Sequence, residues 1–89
     1  MPKMVVFTKS ALRDLKGVPK RDRAVILQRI EVAAVDPQAA GETRVKNADG
    51  QYRVRQGDYR AVYEKSAAEL RVLLIGHRKD VYAKLRCIH

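Results

Sequence analysis

The residues best placed to do chemistry are arginines spaced two apart. Positions 51–64 read QYRVRQGDYRAVYE, in which Arg53 and Arg55 alternate with Tyr52 and Val54, and Arg60 follows a Gly57–Asp58 pair. Glycine followed by aspartate fits a two-residue hairpin loop with the glycine first. In that register Gln56 pairs with Tyr59 and Arg55 lies directly opposite Arg60. Side chains alternate along a strand, so Arg53 shares their face. Like charges opposite one another weaken a sheet. A bound phosphate reverses that effect, because each guanidinium fork donates to two oxygens at once. The chemistry such a face suits is the holding of phosphates and the stabilisation of negative charge that builds on them. A second basic pair, Arg78–Lys79, follows the next apolar run, and Arg44 and Lys46 precede the hairpin.

Other chemistries are absent from the pattern. No paired carboxylates, phosphate-binding glycine loop or Ser-His-Asp arrangement occurs, and the ten acidic residues are dispersed, which argues against a two-metal nuclease. His77 and His89 are too few for a zinc site, and a lone cysteine, Cys87, excludes an internal disulfide and a four-cysteine site. No metal and no small-molecule cofactor is therefore expected. The cysteine usage points to a reducing, intracellular compartment.

The elements that must position these arginines follow from periodicity. Met4–Phe7 is β-branched and aromatic and predicts a short strand; it is too short for a signal-peptide core or a membrane span. Thr8 or Ser10 caps a helix whose apolar face is Ala11, Leu12 and Leu15, stopped by Gly17. Pro19 suits the first turn of a second helix, with Ile26, Leu27, Ile30, Ala33 and Ala34 inward and Arg21, Arg23, Gln28, Arg29 and Glu31 mostly outward. Asp36–Pro37 ends it. Residues 38–50 predict a loop closed by a turn over 47–50. The period then changes to two through the hairpin, with Tyr52, Tyr59 and Tyr63 facing the helices. Leu70–Ile75 predicts a central strand broken by Gly76. The tail holds a last short strand or helix with Val81, Leu85 and Ile88 as apolar contacts, and Tyr82 is the tyrosine placed to reach the basic face.

The order β-α-α-β-β-β plus tail predicts one α+β domain over residues 1–89, with two N-terminal helices on one face of a sheet and the other face left to solvent or a ligand. Lys and Arg number 19 against 10 acids, a net charge of +9 in 89 residues. Clustered on one face, that charge attracts a polyanion in a salt-dependent way, nucleic acid first among the choices.

The string YRVRQGDYRAVYE followed by LRVLLIGHRKDVY closely resembles the C-terminal half of RelE-type toxins of the RelE/ParE superfamily. The two preceding helices match that family's order, so the resemblance spans nearly the whole chain. It implies helices on a small twisted antiparallel sheet, and a toxin of a type II toxin–antitoxin system. It further implies an mRNA interferase that cuts mRNA in the ribosomal A site in the cytoplasm, with a cognate antitoxin as partner. Carried over by motif, the phosphate-binding residues fall on Arg53 and Arg55 and the catalytic residues on Arg60, Arg78 and Tyr82; Lys46 and Lys79, basic residues before the hairpin and after Arg78, are added as phosphate contacts from their own place in the sequence. Arginines stand here where some relatives have lysines.

For such an enzyme the 2′-hydroxyl of RNA attacks the adjacent phosphorus, giving a 2′,3′-cyclic phosphate and a 5′-hydroxyl without a metal. Arginine keeps its proton near neutral pH, so Arg78 is assigned mainly to charge stabilisation, with protonation of the leaving group, which the resemblance suggests, as its second role. Tyr82 is the candidate general base, because nearby cations favour its phenolate. His77 is the rival for proton transfer, and His89 a more remote one. Three other functions stay open at this point: a gyrase-directed toxin on the same fold, a non-catalytic RNA-binding module, and an inactive relative that binds only antitoxin. ParE-type members that poison gyrase generally lack this full basic set.

Overall fold

The computed structural model describes residues 2–46, 50–81 and 83. Its elements run β1 (Met4–Phe7), α1 (Lys9–Lys16), α2 (Lys20–Val35), α3 (Pro37–Ala40), β2 (Thr43–Arg44), β3 (Gln51–Gln56), β4 (Tyr59–Lys65) and β5 (Glu69–His77). The strands form one sheet in the order β1-β5-β4-β3-β2. Strands β2 to β5 are antiparallel neighbours, whereas β1 joins the outer edge of β5 in parallel, from Met4↔Glu69 to Phe7↔Val72. The α+β architecture is the one expected, with a mixed sheet in place of a wholly antiparallel one. A parallel pair needs a long crossover, and here the helices and the β2–β4 strands supply it.

Helix α1 starts where β1 stops. Thr8, not Ser10, is the cap: its Oγ1 accepts from the Ala11 N–H at 3.0 Å and donates to the Leu73 carbonyl at 2.9 Å. The inward stripe of α1 is Ala11, Asp14 and Leu15, continued by Val18, at spacings of three and four. Asp14 turns inward because β1 ends at Phe7 and leaves the edge of β5 uncovered beyond Val72. Its Oδ2 accepts from the Ile75 N–H at 3.1 Å. Leu12 lies off this stripe and is 49% exposed, which corrects its assignment to the core.

Pro19 sits one residue before α2 with an extended ψ of 143°, so it precedes the first turn rather than occupying it. Ile26, Ile30, Ala33 and Ala34 are buried against the sheet, as the periodicity requires. Asp36 ends α2 and at once caps α3, accepting from the Ala39 N–H at 3.3 Å. Gly41, at φ 74°, closes α3 in the left-handed conformation that glycine adopts without a Cβ penalty. The expected loop over 38–50 thus contains all but the first residue of a four-residue helix, and a two-residue strand, both too short to leave a periodic signal.

Strand β5 runs through Gly76 to His77, pairing Arg60↔Gly76 and Tyr59↔His77; glycine does not break it. Between Val62↔Leu74 and Tyr63↔Val72 the register slips, leaving Leu73 as the extra residue of a bulge. The helix-side core gathers Ile26, Ile30, Val54, Ala61, Tyr63, Leu70, Val72 and Ile75, with Tyr52 and Tyr59 packed on it. The far face is not wholly open as expected. Val62 and Leu74 are buried there beneath Val45 and Val81, a second small core that roofs the middle of the sheet. Of the expected tail contacts, Leu85 and Ile88 lie outside the described residues, as do Tyr82, Cys87, His89 and the turn over 47–49.

Candidate functional site

The hairpin forms in the expected register. Gly57, at φ 58°, opens a two-residue loop, Gln56 pairs with Tyr59, and Arg55 stands directly opposite Arg60. Arg53 faces Val62, whose side chain belongs to the far-face core. Alternation therefore puts Arg53, Arg55 and Arg60 on the face opposite α1 and α2. Tyr52, Tyr59 and Tyr63 take the helix side, as expected.

The three arginines differ in environment. Arg55 is exposed and Arg53 half-buried. Arg60 is half-buried, and its Nη1 is buried with no hydrogen-bond partner among the described residues. Its strand neighbours explain this: it sits between Arg55, which offers only donors, and Gly76, which has no side chain. A buried donor without an acceptor is costly. An oxyanion held between the two guanidiniums would offset the repulsion between Arg60 and Arg55.

Arg78 is fixed at the same end of the sheet. Its backbone N–H donates to the Asp58 carbonyl at 2.7 Å, and its Nε lies 3.6 Å from Asp58 Oδ1. Both side chains are more than half exposed, so this ion pair is weak and yields readily to a stronger anion. Asp58 thus holds the backbone of Arg78 against the hairpin loop while leaving its guanidinium available. Asp14, on α1, supports the same end of β5 through Ile75.

Other expected site residues fall elsewhere. His77 pairs with Tyr59 and meets its ring edge-on at 5.8 Å between centroids, which turns it to the helix side, away from the arginines. Its Nδ1 accepts from the Lys79 N–H at 3.2 Å. The geometry does not bring His77 to the site as a proton carrier. Lys79 is exposed in the turn beyond β5. Lys46 is exposed too, but follows Val45, whose N–H donates to the Gln51 carbonyl at the far end of β3. At ~3.3 Å per residue that end is about 13 Å from Arg55. Tyr82 lies outside the described residues.

Two groups escaped the sequence. Arg29 is on the flank of the buried stripe of α2, not on its outer side. It donates from Nε to Gln56 Oε1 at 3.2 Å and from Nη1 to the Ala40 carbonyl at 3.5 Å. Its spacing from Ile26 and Ala33, three before and four after, was the available signal. The other is Glu42, in the supposed loop. It accepts from the Tyr63 hydroxyl at 2.5 Å and from Lys65 Nζ at 2.7 Å, while Lys65 lies 4.1 Å over the Tyr52 ring. Burial, and then the hydrogen bond to Glu42, push the Tyr63 hydroxyl well above the usual phenol range, so it stays protonated. This network braces the helix side of β3 and β4 at the end away from the Arg55–Arg60 pair.

The profile of the family described as "ParE toxin of type II toxin-antitoxin system, parDE" matches residues 5–82. Toxin RelG of Mycobacterium tuberculosis is 31% identical over 90 residues, covering 94% of this chain and all of the relative. Among solved structures, the RelB-RelE antitoxin-toxin complex of Methanococcus jannaschii matches with a TM-score of 0.70 and 27% identity over 89% of this chain and 96% of the matched one. A double mutant of E. coli toxin RelE in the free state superposes over the full length of both chains with a TM-score of 0.80; at 17% identity it speaks for the fold alone. The profile match and the Mycobacterium relative show that the chain belongs to the RelE/ParE family of toxins of type II toxin–antitoxin systems.

Proposed function

We propose that this toxin is a ribosome-dependent mRNA endonuclease that acts in the cytoplasm and inhibits translation. One observation carries the reading: Arg60, whose Nη1 has no partner among the described residues, stands directly opposite Arg55 on a sheet face that also carries Arg53. That arrangement is destabilising in the free protein and suited to a phosphodiester.

In this mechanism the RNA 2′-hydroxyl attacks its own phosphorus, the bond from phosphorus to the 5′-oxygen breaks, and the departing 5′-oxygen takes up a proton from solvent. The products are a 2′,3′-cyclic phosphate and a 5′-hydroxyl. Arg60 and Arg78 stabilise the extra charge on the phosphoryl oxygens, and Arg53 and Arg55 hold flanking phosphates. Lys79 adds a phosphate contact at the turn, and Lys46 one at the far end of β3. Tyr82 takes the proton from the 2′-hydroxyl, its phenolate favoured by these cations. The ribosome supplies the substrate in attack geometry, which is itself a large part of the acceleration.

The partner that holds the toxin inactive is proposed to be a cognate antitoxin, as in the RelB-RelE complex whose toxin fold this chain shares. Among the described residues no helix is long and apolar enough to cross a membrane.

The family profile is named for ParE, and a gyrase-directed toxin is the second reading. Induced expression followed by mapping of mRNA 5′ ends decides between them. The nuclease reading expects new ends within translated codons; DNA damage without such ends would favour the second. Tyr82→Phe is expected to slow cutting with little change in ribosome binding, and an unchanged rate would remove Tyr82 from the proton-transfer role.

A further inference from the structure

We propose a second phosphate subsite at the free edge of β3, in a cleft between Arg29 and Arg55. It extends the RNA track around the sheet edge, and it rests on the RNA-directed function proposed above.

Strand β2 pairs with β3 only at Thr43↔Arg53 and Arg44↔Tyr52. Beyond Arg53 the outer edge of β3 has no strand neighbour among the described residues. The space left there is a cleft of about 510 Å³ lined mainly by polar groups of Arg29, Thr43, Arg55, Gln56 and the backbone at Gly41 and Gly57. It opens because α3 ends at Gly41, whose left-handed turn carries the chain away before it can pair with Arg55.

Three donors converge on the cleft. The first is the backbone N–H of Arg55. Gln56 and Tyr59 flank the two-residue loop and form its hydrogen-bonded pair. Alternation makes Arg55 and Arg60 the next, non-hydrogen-bonded pair, so the Arg55 N–H points away from β4 and outward at the edge. The second is the Arg55 guanidinium, on an exposed side chain lining the cleft. The third is Arg29, which reaches the same cleft from the helix side. Bonds from Nε and Nη1 fix its orientation, and its Nη2 has no partner among the described residues. Among the described residues no carboxylate lines the cleft.

Two guanidiniums and a backbone N–H around an open polar cleft form an oxyanion site. Phosphate is the preferred occupant over a protein carboxylate because Arg55 joins this cleft to the Arg60 site. A strand that presents one phosphate to Arg60 passes directly over Arg55 on leaving the hairpin.

Two measurements test the subsite. In the wild-type protein, titration with inorganic phosphate is expected to shift the NMR signals of the Arg55 amide and the Arg29 Nε–H along one binding curve. Signals that stay still while those of Arg60 move would overturn the proposal without needing any variant. Second, Arg29→Gln, checked for an unchanged melting temperature, is expected to weaken a single-stranded hexanucleotide several-fold. The variant's salt-dependence slope should drop by about 0.7, one phosphate contact on a single strand. Binding of a dinucleotide that fills only the Arg60 site is expected to hold. Equal losses for both RNAs, no loss for either, no RNA binding by the wild type, or a loss confined to cognate antitoxin binding would each overturn it. If hexanucleotide binding depends on Arg29 but mRNA is not cut on ribosomes, the nuclease reading falls and the subsite stands. If cutting occurs and Arg29 proves irrelevant, the reverse holds.

Discussion

Arg60 and Arg55 face one another across the β3–β4 hairpin, and the Nη1 of Arg60 is buried with no hydrogen-bond partner among the described residues. A small domain has little stability to spare. Here it keeps two cations opposed and one donor desolvated, which local stability alone disfavours. The pair is intelligible as a site prepared for an anion.

A trade between stability and activity follows. Arg60→Met removes the repulsion and the orphaned donor while keeping the side-chain volume. It is expected to leave stability unchanged or raise it by about 1 kcal/mol, read from the urea midpoint, and to abolish mRNA cutting. A clear loss of stability would make Arg60 a structural residue.

Arg78→Ala is expected to lower the cutting rate by about 100-fold, the order found when one charge-stabilising donor is removed. Thermal stability should barely move, because the ion pair with Asp58 is exposed and the backbone bond from Arg78 to Asp58 does not need the side chain. Cutting at the wild-type rate would remove Arg78 from the site.

Much of this was legible in the sequence. The Gly57–Asp58 pair fixed the hairpin register, and with it the shared face of Arg53, Arg55 and Arg60 and the inward turn of three tyrosines. What was hidden depends on contacts between distant segments. The parallel pairing of β1 reflects a β5 edge that needed covering. Asp14 faces inward to serve Ile75, and Leu12 is displaced to the surface as a result. Gly76 reads as a breaker in isolation, yet sits paired with Arg60 inside a strand. The roof of Val45 and Val81 joins residues from opposite ends of the described chain half, which no local period reveals.

Asp14→Ala is expected to act on the site from a distance. Losing the acceptor for the Ile75 N–H should cost about 1–2 kcal/mol and loosen the end of β5 that carries Arg78. Hydrogen exchange at Ile75 should quicken and cutting should fall only in part. Unchanged exchange there would show that Asp14 does not brace the strand.

Alkaline stability reports on Tyr63. Its hydroxyl is raised in the folded state by burial and by Glu42, so the native protein keeps this proton after the unfolded chain has lost it. The contribution is constant below about pH 10, the unfolded phenol value, and is lost as pH rises beyond it. Tyr63→Phe is expected to reduce that alkaline loss. At neutral pH it should cost about 1–2 kcal/mol, because Glu42 Oε1 loses its donor. An alkaline limb identical in the variant, by urea denaturation across pH, would assign it to other groups.

The claim at the centre is that guanidiniums on the far face of the hairpin stabilise a scissile RNA phosphate. Single-turnover cutting of mRNA on programmed ribosomes, with the wild type beside Arg60→Met, tests it most directly. Fragments ending in a 2′,3′-cyclic phosphate are expected from the wild type and none from the variant, with both proteins folded and ribosome-bound. Equal cutting by the two, or no cutting by the wild type, would contradict it.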